Sequence, residues 1–350
     1  MIRNVLIVIL LLGAVGATVW LTHGGSFSLV SFGEGKMVSP LGKPLLLASV
    51  DEVEQLKLKN DLEAQVTALG QSDNVSLYYK NLNKNYEIAI NADRSWVPAS
   101  MVKAYVVVEA YRQKEAGLVN FDQRILIKIE NVVPTELEAP DYQPLRAGVR
   151  ATVRELVYAM VVQSDNTAFN TLIDVLDRRN ISSSLKRLGL TDTVVGEKLS
   201  LNGDQYELDS AATGRQSNRT TVRDFGRLFI MLYEGKISQS EEILAIFKKQ
   251  KFHDMLPALL PADVVVAHKT GTFAPYYHDG GIIYKPNEPF VLVVFTNSGN
   301  PSAVAQLSKV AYYKSRDVLG ASTTSFYGRI LEIIDRLLPT KPSLPLRIFQ

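Results

Sequence analysis

The sequence predicts an α+β fold in which an antiparallel sheet is built from both ends of the domain and a helical subdomain lies between. Three observations predict it. Two short β-rich runs, in "NVSLYYKNLNKNYEIAI", precede the middle of the chain and flank a turn at Asn83-Lys84-Asn85. The middle is a succession of apolar stripes at helical spacing, each preceded by Ser, Thr or Asp. The last third returns to strands in "DVVVAHKTGT", "GGIIYK" and "PFVLVVFTNSG".

Taken in order, the chain opens on Arg3 and then seventeen uncharged, mostly apolar residues from Val5 to Leu21. A spanning helix takes about twenty such residues, and a secretory signal has a shorter core followed by small residues. Residues 1–24 are therefore expected to be a membrane anchor or a signal peptide, with Ala14-Val15-Gly16 as a possible cleavage site. Either way the rest of the chain is expected to be extracytoplasmic, touching the membrane only if the segment is uncleaved. Residues 25–50 read as a Gly-, Ser- and Pro-bearing linker, and 51–345 as one domain. That domain begins with a helix over Asp51–Leu69, where Val53, Leu56, Leu62, Val66 and Leu69 share helical spacing. The hairpin follows, then a helix starting at Ser100. "TVRELVYAMVV", "DNTAFNTLIDVLDRR", "SSSLKRLGL" and "TTVRDFGRLFIMLYEGK" supply further helices. The stretch from Gly189 to Arg219 has no clean period and reads as a long loop, of a length that tends to be functional. Pro286-Asn287-Glu288-Pro289 turns between the last two strands, and helical spacing resumes near Val304 and Thr323.

Composition narrows the chemistry. The chain has no cysteine, which excludes disulfides, thiolate metal sites and thiol catalysis. Its four histidines show no ligand spacing, so no metal or other cofactor is expected. A net charge of +2 without a basic block argues against nucleic acid as a partner.

One lysine stands out. In "VPASMVKAYVVVEAYRQKEAG", Lys103 lies three residues after Ser100 at the root of an otherwise apolar helix. Positions i and i+3 share a helix face, so the two side chains can meet. A serine hydroxyl needs a base, and burial lowers a lysine's pKa far enough to make it one. The spacing alone is weak evidence, because Ser183 and Lys186 repeat it. Ser164-Asp165-Asn166 between two helices and Lys269-Thr270-Gly271 at a strand end add weight, although a second Ser-Asp-Asn occurs at Ser72–Asn74, before Ser100. Taken alone, Asp165 reads as a helix cap and Lys269–Gly271 as a strand-end turn.

The three motifs in this order are those of the class A β-lactamases and penicillin-binding proteins. From about Asn74 to Leu338 the chain resembles the penicillin-recognising serine hydrolases, in "VPASMVK", "ATVRELVYAMVVQSDNTAFNTLID", "RTTVRDFGRL" and the "HKTGT…GGIIY…VLVVFTNSG" sheet. The resemblance implies a β-lactamase or DD-peptidase fold, acylation at Ser100, and Lys103 as the group that accepts or relays its proton. It implies Ser164 as proton donor to the leaving nitrogen, helped by Lys269, and Asn166 as a holder of Lys103 and substrate. Thr270 and Lys269 would bind a substrate carboxylate beside Gly271, and the N–H groups of Ser100 and Thr272 would form the oxyanion hole. The implied ligand is a β-lactam or a peptidoglycan stem peptide.

Two departures qualify that implication. Class A enzymes use a loop glutamate to activate the deacylating water. Here "GEKLSLN" carries Lys198 in that slot, with Glu197 one position off, while counting back from Arg219-Thr220-Thr221 reaches Gln205, two residues from Glu207. Glu207 is taken as the catalytic carboxylate, with Glu197 as the alternative. Many members also carry an arginine where this chain has Gly280. The expected function is β-lactamase-like hydrolysis. A DD-peptidase or transpeptidase, or a penicillin-binding protein that acylates without efficient turnover, is the alternative.

Overall fold

The computed structural model describes the backbone of residues 6–10, 17–21, 27–30 and 50–53, and residues 54–70, 72–84, 86–134, 144–200 and 217–314 in full. The chain divides into two compact units, Met1–Val50 and Asp51–Gln350.

In the first unit, β1 (Leu6–Leu10), β2 (Ala17–Leu21) and β3 (Phe27–Val30) form an antiparallel sheet in that order. Leu6 pairs with Leu21 and Thr18 with Val30. The continuous apolar helix expected over Val5–Leu21 is thus replaced by two short strands, and β3 falls in the stretch expected to be a linker. Val, Ile and Thr recur in these strands, and their branched Cβ favours extended backbone. Among the described residues no helix is long and apolar enough to cross a membrane.

The second unit opens with α1 (Val50–Ala68), then the hairpin β4 (Val75–Asn81) and β5 (Glu87–Ile90). A 3₁₀ turn over Ala99–Val102 leads into α2 (Lys103–Glu115). Next come β6 (Arg124–Leu126) and β7 (Arg150–Thr152), a small pair that the sequence did not announce. The helices α3 (Val153–Val162), α4 (Asn166–Leu176), α5 (Arg178–Arg187), α6 (Val222–Tyr233) and α7 (Ser240–Phe247) fill the middle. Strands β8 (Val266–Phe273), β9 (Tyr276–Ile283) and β10 (Phe290–Thr296) and helix α8 (Ser302–Lys314) complete it. The helix expected near Thr323 lies outside the described residues.

The sheet order is β5-β4-β10-β9-β8, antiparallel throughout. Strands from both ends therefore meet at its centre, where β10 pairs with β4. Every residue of β10 is buried, because the sheet is covered on both faces. Its alternation sorts two cores. Leu292 and Val294 join Leu58, Leu62 and Val66 of α1 and Val304 and Leu307 of α8. Val291, Val293 and Phe295 face the helical half with Phe225 and Phe229 of α6. α2 runs through that half with nine consecutive buried residues, Lys103–Tyr111. Seven of those nine are uncharged residue types, and Lys103 and Glu109 are buried with them.

Local chemistry sets the helix ends. Thr152 forms a capping box with Glu155, and Thr221 accepts from the Asp224 N–H. The helix expected over "DNTAFNTLIDVLDRR" ends at Leu176, and the next one begins at Arg178, ahead of the expected "SSSLKRLGL". Asp177 adopts φ +64° and its carboxylate accepts from the Arg179 N–H, so Asp177 ends α4 and caps α5.

Gly226 of α6 packs against the sheet so closely that a Cβ there would lie 2.3 Å from Tyr78 Cδ1. Alanine normally gains up to about 1 kcal/mol over glycine in a helix. Overpacking against a ring costs about 1–3 kcal/mol, and Tyr78 is held by its 2.7 Å bond to Glu87. Gly226→Ala is expected to destabilise the domain by about 1–2 kcal/mol in urea unfolding, and an unchanged or raised midpoint would contradict this packing.

Candidate active site

Three elements converge where the helical half meets the sheet edge. Ser100 lies in the 3₁₀ turn and Lys103 is the first residue of α2. The sequence suggested an α-helical i, i+3 pair; the tighter turn eclipses i and i+3 and brings the two side chains closer into line. Ser164 sits in the turn between α3 and α4, and Asn166 is the first residue of α4. Lys269 comes from edge strand β8.

Lys103 Nζ is the hub. It lies 2.8 Å from Ser100 Oγ, 2.6 Å from Asn166 Oδ1, 2.5 Å from the Ser164 carbonyl oxygen and 3.2 Å from Ser164 Oγ. The Asn166 and Ser164 carbonyl oxygens only accept. A neutral amine that donates to those two has its lone pair left for the proton of Ser100. Burial, with the positive charge of Lys269 adding to it, pushes the Lys103 amine well below the usual lysine range. Lys269 Nζ donates to Ser164 Oγ at 2.9 Å and to the Thr270 carbonyl at 2.7 Å. Ser164 Oγ is thus bracketed by two amines.

Backbone geometry holds this cluster under tension. Ala99 has φ +48° and Ser164 φ +55°, both in the left-handed region that L-residues other than Asn and Asp avoid. Such conformations cost about 1–3 kcal/mol and persist only where the surroundings over-determine them. Asp165 does so on one side, its carboxylate accepting from the Ala168 N–H at 2.7 Å as the cap of α4. Gly271 does so on the other. A Cβ at Gly271 would lie 2.8 Å from the Pro98 carbonyl oxygen and 3.1 Å from the Met101 nitrogen. This glycine lets β8 approach the Ser100 turn, with Thr270 buried and Thr272 exposed on either side of it.

Gly280 pairs with Lys269, and a Cβ there would meet Val293 Cγ1 at 2.9 Å and Phe225 at 3.0 Å. The position compared with a carboxylate-binding arginine therefore faces the core and has no room for a side chain.

The long loop departs from expectation too. Glu207 lies outside the described residues. Glu197 turns to Arg178, 3.6 Å away. Lys198 pairs with Asp174 at 2.7 Å and donates to Asn131 at 2.6 Å. Leu199, buried in the helical core, is the loop residue that docks on α4 among those described. Asn170 accepts from the Leu199 N–H at 2.8 Å and donates to its carbonyl at 2.9 Å. Asn170 is one turn beyond Asn166 on α4, so the two asparagines share a face. That i, i+4 spacing in "SDNTAFN" was the available signal. Among the described residues no His, Asp and Glu cluster could hold a metal.

Residues 57–314 match the family model described as the Beta-lactamase enzyme family. The chain is similar to β-lactamase VEB-1 of Pseudomonas aeruginosa, 22% identical over 73% of this chain and 88% of that one. It is also similar to β-lactamase CTX-M-97 of Escherichia coli, 25% identical over 83% and 96%. Among solved structures, PBP-A superposes with TM-score 0.62 at 23% identity, covering 72% of this chain and 94% of that one. A β-lactamase from Sphaerobacter thermophilus DSM 20745 superposes with TM-score 0.63 at 23% identity, covering 73% and 97%. A PBP-A mutant with the same fold has been captured as its acyl-enzyme with penicillin G.

The buried lysines bear on stability with a definite sign. Burial lowers the Lys269 amine from 10.5 to about 7. Between those values the unfolded chain holds a proton that the folded chain has released, so wild-type stability gains as pH rises through this window. The stability of Lys269→Met relative to wild type is expected to fall by roughly several kcal/mol between pH 6.5 and 10.5, at about 1.4 kcal/mol per unit. Chemical denaturation across that range measures it, and a pH-independent difference would contradict the buried titration.

Proposed function

Because this chain belongs to the Beta-lactamase enzyme family, we propose that it is a serine hydrolase in which Ser100 opens the cyclic amide of a β-lactam. The observation that carries the reading is the 2.8 Å contact between Ser100 Oγ and an amine whose other partners include two carbonyl oxygens. In this reading Ser100 Oγ attacks the amide carbonyl and its proton passes to Lys103 Nζ. The oxyanion is met by the N–H groups of Ser100 and Thr272, each donor worth roughly 2.7–4 kcal/mol. As the C–N bond breaks, Ser164 Oγ hands its proton to the leaving nitrogen and regains one from Lys103 or Lys269. Lys269 and Thr270, without help from position 280, bind the substrate carboxylate. The apolar N-terminal run from Val5 supports an extracytoplasmic site of action, where β-lactams and wall peptides are met.

A second reading concerns the acyl-enzyme. The loop segment pinned by Asn170 carries Leu199, buried in the core, and Glu197 is engaged by Arg178. Both favour slow deacylation, the behaviour of a penicillin-binding protein or DD-peptidase, unless Glu207 supplies the base. A burst-and-turnover measurement with a chromogenic cephalosporin separates the two. Sustained turnover that Glu207→Gln converts into a trapped adduct on Ser100 is the β-lactamase outcome. A burst without turnover, which Leu199→Glu converts into measurable hydrolysis, is the other.

The acylation half is tested by labelling with a fluorescent penicillin. Ser100→Ala is expected to abolish the label while Ser183→Ala keeps it. Lys103→Arg retains charge but cannot become neutral, and acylation is expected to slow by at least about 10²-fold. Labelling of Ser100→Ala at native stoichiometry, or an unchanged rate in Lys103→Arg, would overturn this mechanism.

A further inference from the structure

His278 lies on β9 beside Gly271 of β8, and its side chain is fully buried. Its two ring nitrogens meet opposite demands. Nε2 is 2.8 Å from the Val97 carbonyl oxygen, which only accepts. Nδ1 is 3.2 Å from the Thr296 backbone nitrogen, which only donates. One protonation state satisfies both, the neutral ring with its hydrogen on Nε2. An imidazolium would set Nδ1–H against the Thr296 N–H and lose that bond, and burial outweighs the Val97 and Tyr277 backbone groups that favour the charged ring.

The Val97 carbonyl is a consequential point to hold. Trp96 is paired through its backbone with Thr220, at 2.9 and 3.2 Å. Pro98 has no N–H with which to continue that pairing. The Pro98 carbonyl accepts from the Met101 N–H at 3.0 Å to close the nucleophile turn, and Ala99 between them is left-handed. The bond from His278 is therefore the side-chain tether between the last paired residue and the strained turn. It comes from the strand flanking β8 and is braced by Thr296 of β10, so it ties the turn to two strands of the sheet.

The ring's surroundings fit a permanently neutral group. Phe295 stacks on it at 4.5 Å, Trp96 meets it edge-on at 5.7 Å and Tyr276 lies at 5.9 Å. Tyr276 is the titratable group among these contacts, and the nearby cation is Arg94, stacked on the Trp96 ring at 4.3 Å. Burial holds the imidazole pKa down to about 4.

We propose that His278 is a positioning residue of the acylation centre: as a neutral imidazole protonated on Nε2, it tethers the Val97 carbonyl to the sheet and so holds the turn that presents Ser100. The proposal rests on the acylation reading given above and adds a residue that touches neither substrate nor reacting atoms. It differs from simple core packing in requiring a donor at Nε2.

Three measurements on the full chain test it. Nitrogen-15 spectra of the histidine rings are expected to show one Nε2–H tautomer that stays neutral down to about pH 4, absent in His278→Gln. In His278→Leu, which fills the space without donating, the limiting rate constant for labelling by fluorescent penicillin is expected to fall about 10- to 100-fold, the scale of a small nucleophile displacement. The half-saturating penicillin concentration should change less than about threefold, since the groups that bind the ligand are untouched. His278→Gln, whose amide can still donate, is expected to recover part of the rate. Folded His278→Leu that labels at the wild-type rate would overturn the proposal, as would a ring protonated at pH 6 or carrying its hydrogen on Nδ1. If His278→Leu does not fold, the spectra and the rate in His278→Gln decide, a rate at or below one-thousandth of wild type despite a folded core being contrary. A wild type that takes no label at all overturns the acylation reading itself. A labelled wild type matched by His278→Leu overturns only the role of His278.

Discussion

Everything at the site depends on hiding one amine from water. Lys103 has no solvent exposure, and a charged lysine buried without a counter-ion is costly. The domain resolves this by surrounding the nitrogen with oxygens from two other segments, Ser100 before it and the Ser164–Asn166 turn across from it. A neutral amine is the state of lower cost there, and it is also the state able to take a proton. Burial and reactivity are one property of the same atom. The all-round burial of α2 over Lys103–Tyr111 follows from that need, because a helix that delivers a lysine to an interior must itself be interior.

The sheet contributes through closeness as well as through the charge of Lys269. β8 runs so near the nucleophile turn that one methyl group at Gly271 would strike backbone atoms. The same approach sets Lys269 within hydrogen-bonding distance of Ser164. Two amines then share one buried volume, and the charge of Lys269 makes Lys103 harder to protonate. The left-handed residues Ala99 and Ser164 mark where the chain is bent to make this possible. Both flank the cluster, Ala99 fixed by the close approach of β8 and Ser164 by the Asp165 cap and by Lys103 and Lys269.

Much of this was legible in the sequence because it rests on local chemistry. The hairpin at Asn83–Asn85, the caps at Thr152, Asp165 and Thr221, and the strand runs of the last third all carry their signals within a few residues. Ser100, Lys103, Ser164, Asn166 and Lys269 were named from motifs whose order carried the information, and the structure brings those five side chains together. What stayed hidden depends on tertiary contact. The break at Asp177 needs an Asp carboxylate turned onto its own following backbone, which composition does not reveal. α7 is eight residues long, too short for its period to stand out. The sequence does not show that Asp174 and Arg178 stand opposite Lys198 and Glu197. The place of Leu199 was hidden for the converse reason: it is set by Asn170, and nothing about a leucine advertises that. The N-terminal apolar run has a composition that suits both a helix and paired strands, and its backbone takes the second form.

The central pairing of β4 with β10 has a kinetic meaning. Asn83 at the end of the first hairpin bonds to Asn287 at the start of the last strand, 204 residues away. Neither half of the sheet can close while the other is still being made. Sheets that depend on such distant partners fold late, since the closure entropy comes before the contacts that offset it. The apolar strand β10 and the hairpin that awaits it are therefore exposed together in the unfinished chain, a stage at which such surfaces associate with whatever they meet. A polypeptide arranged this way cannot complete its central sheet for as long as its last third is withheld.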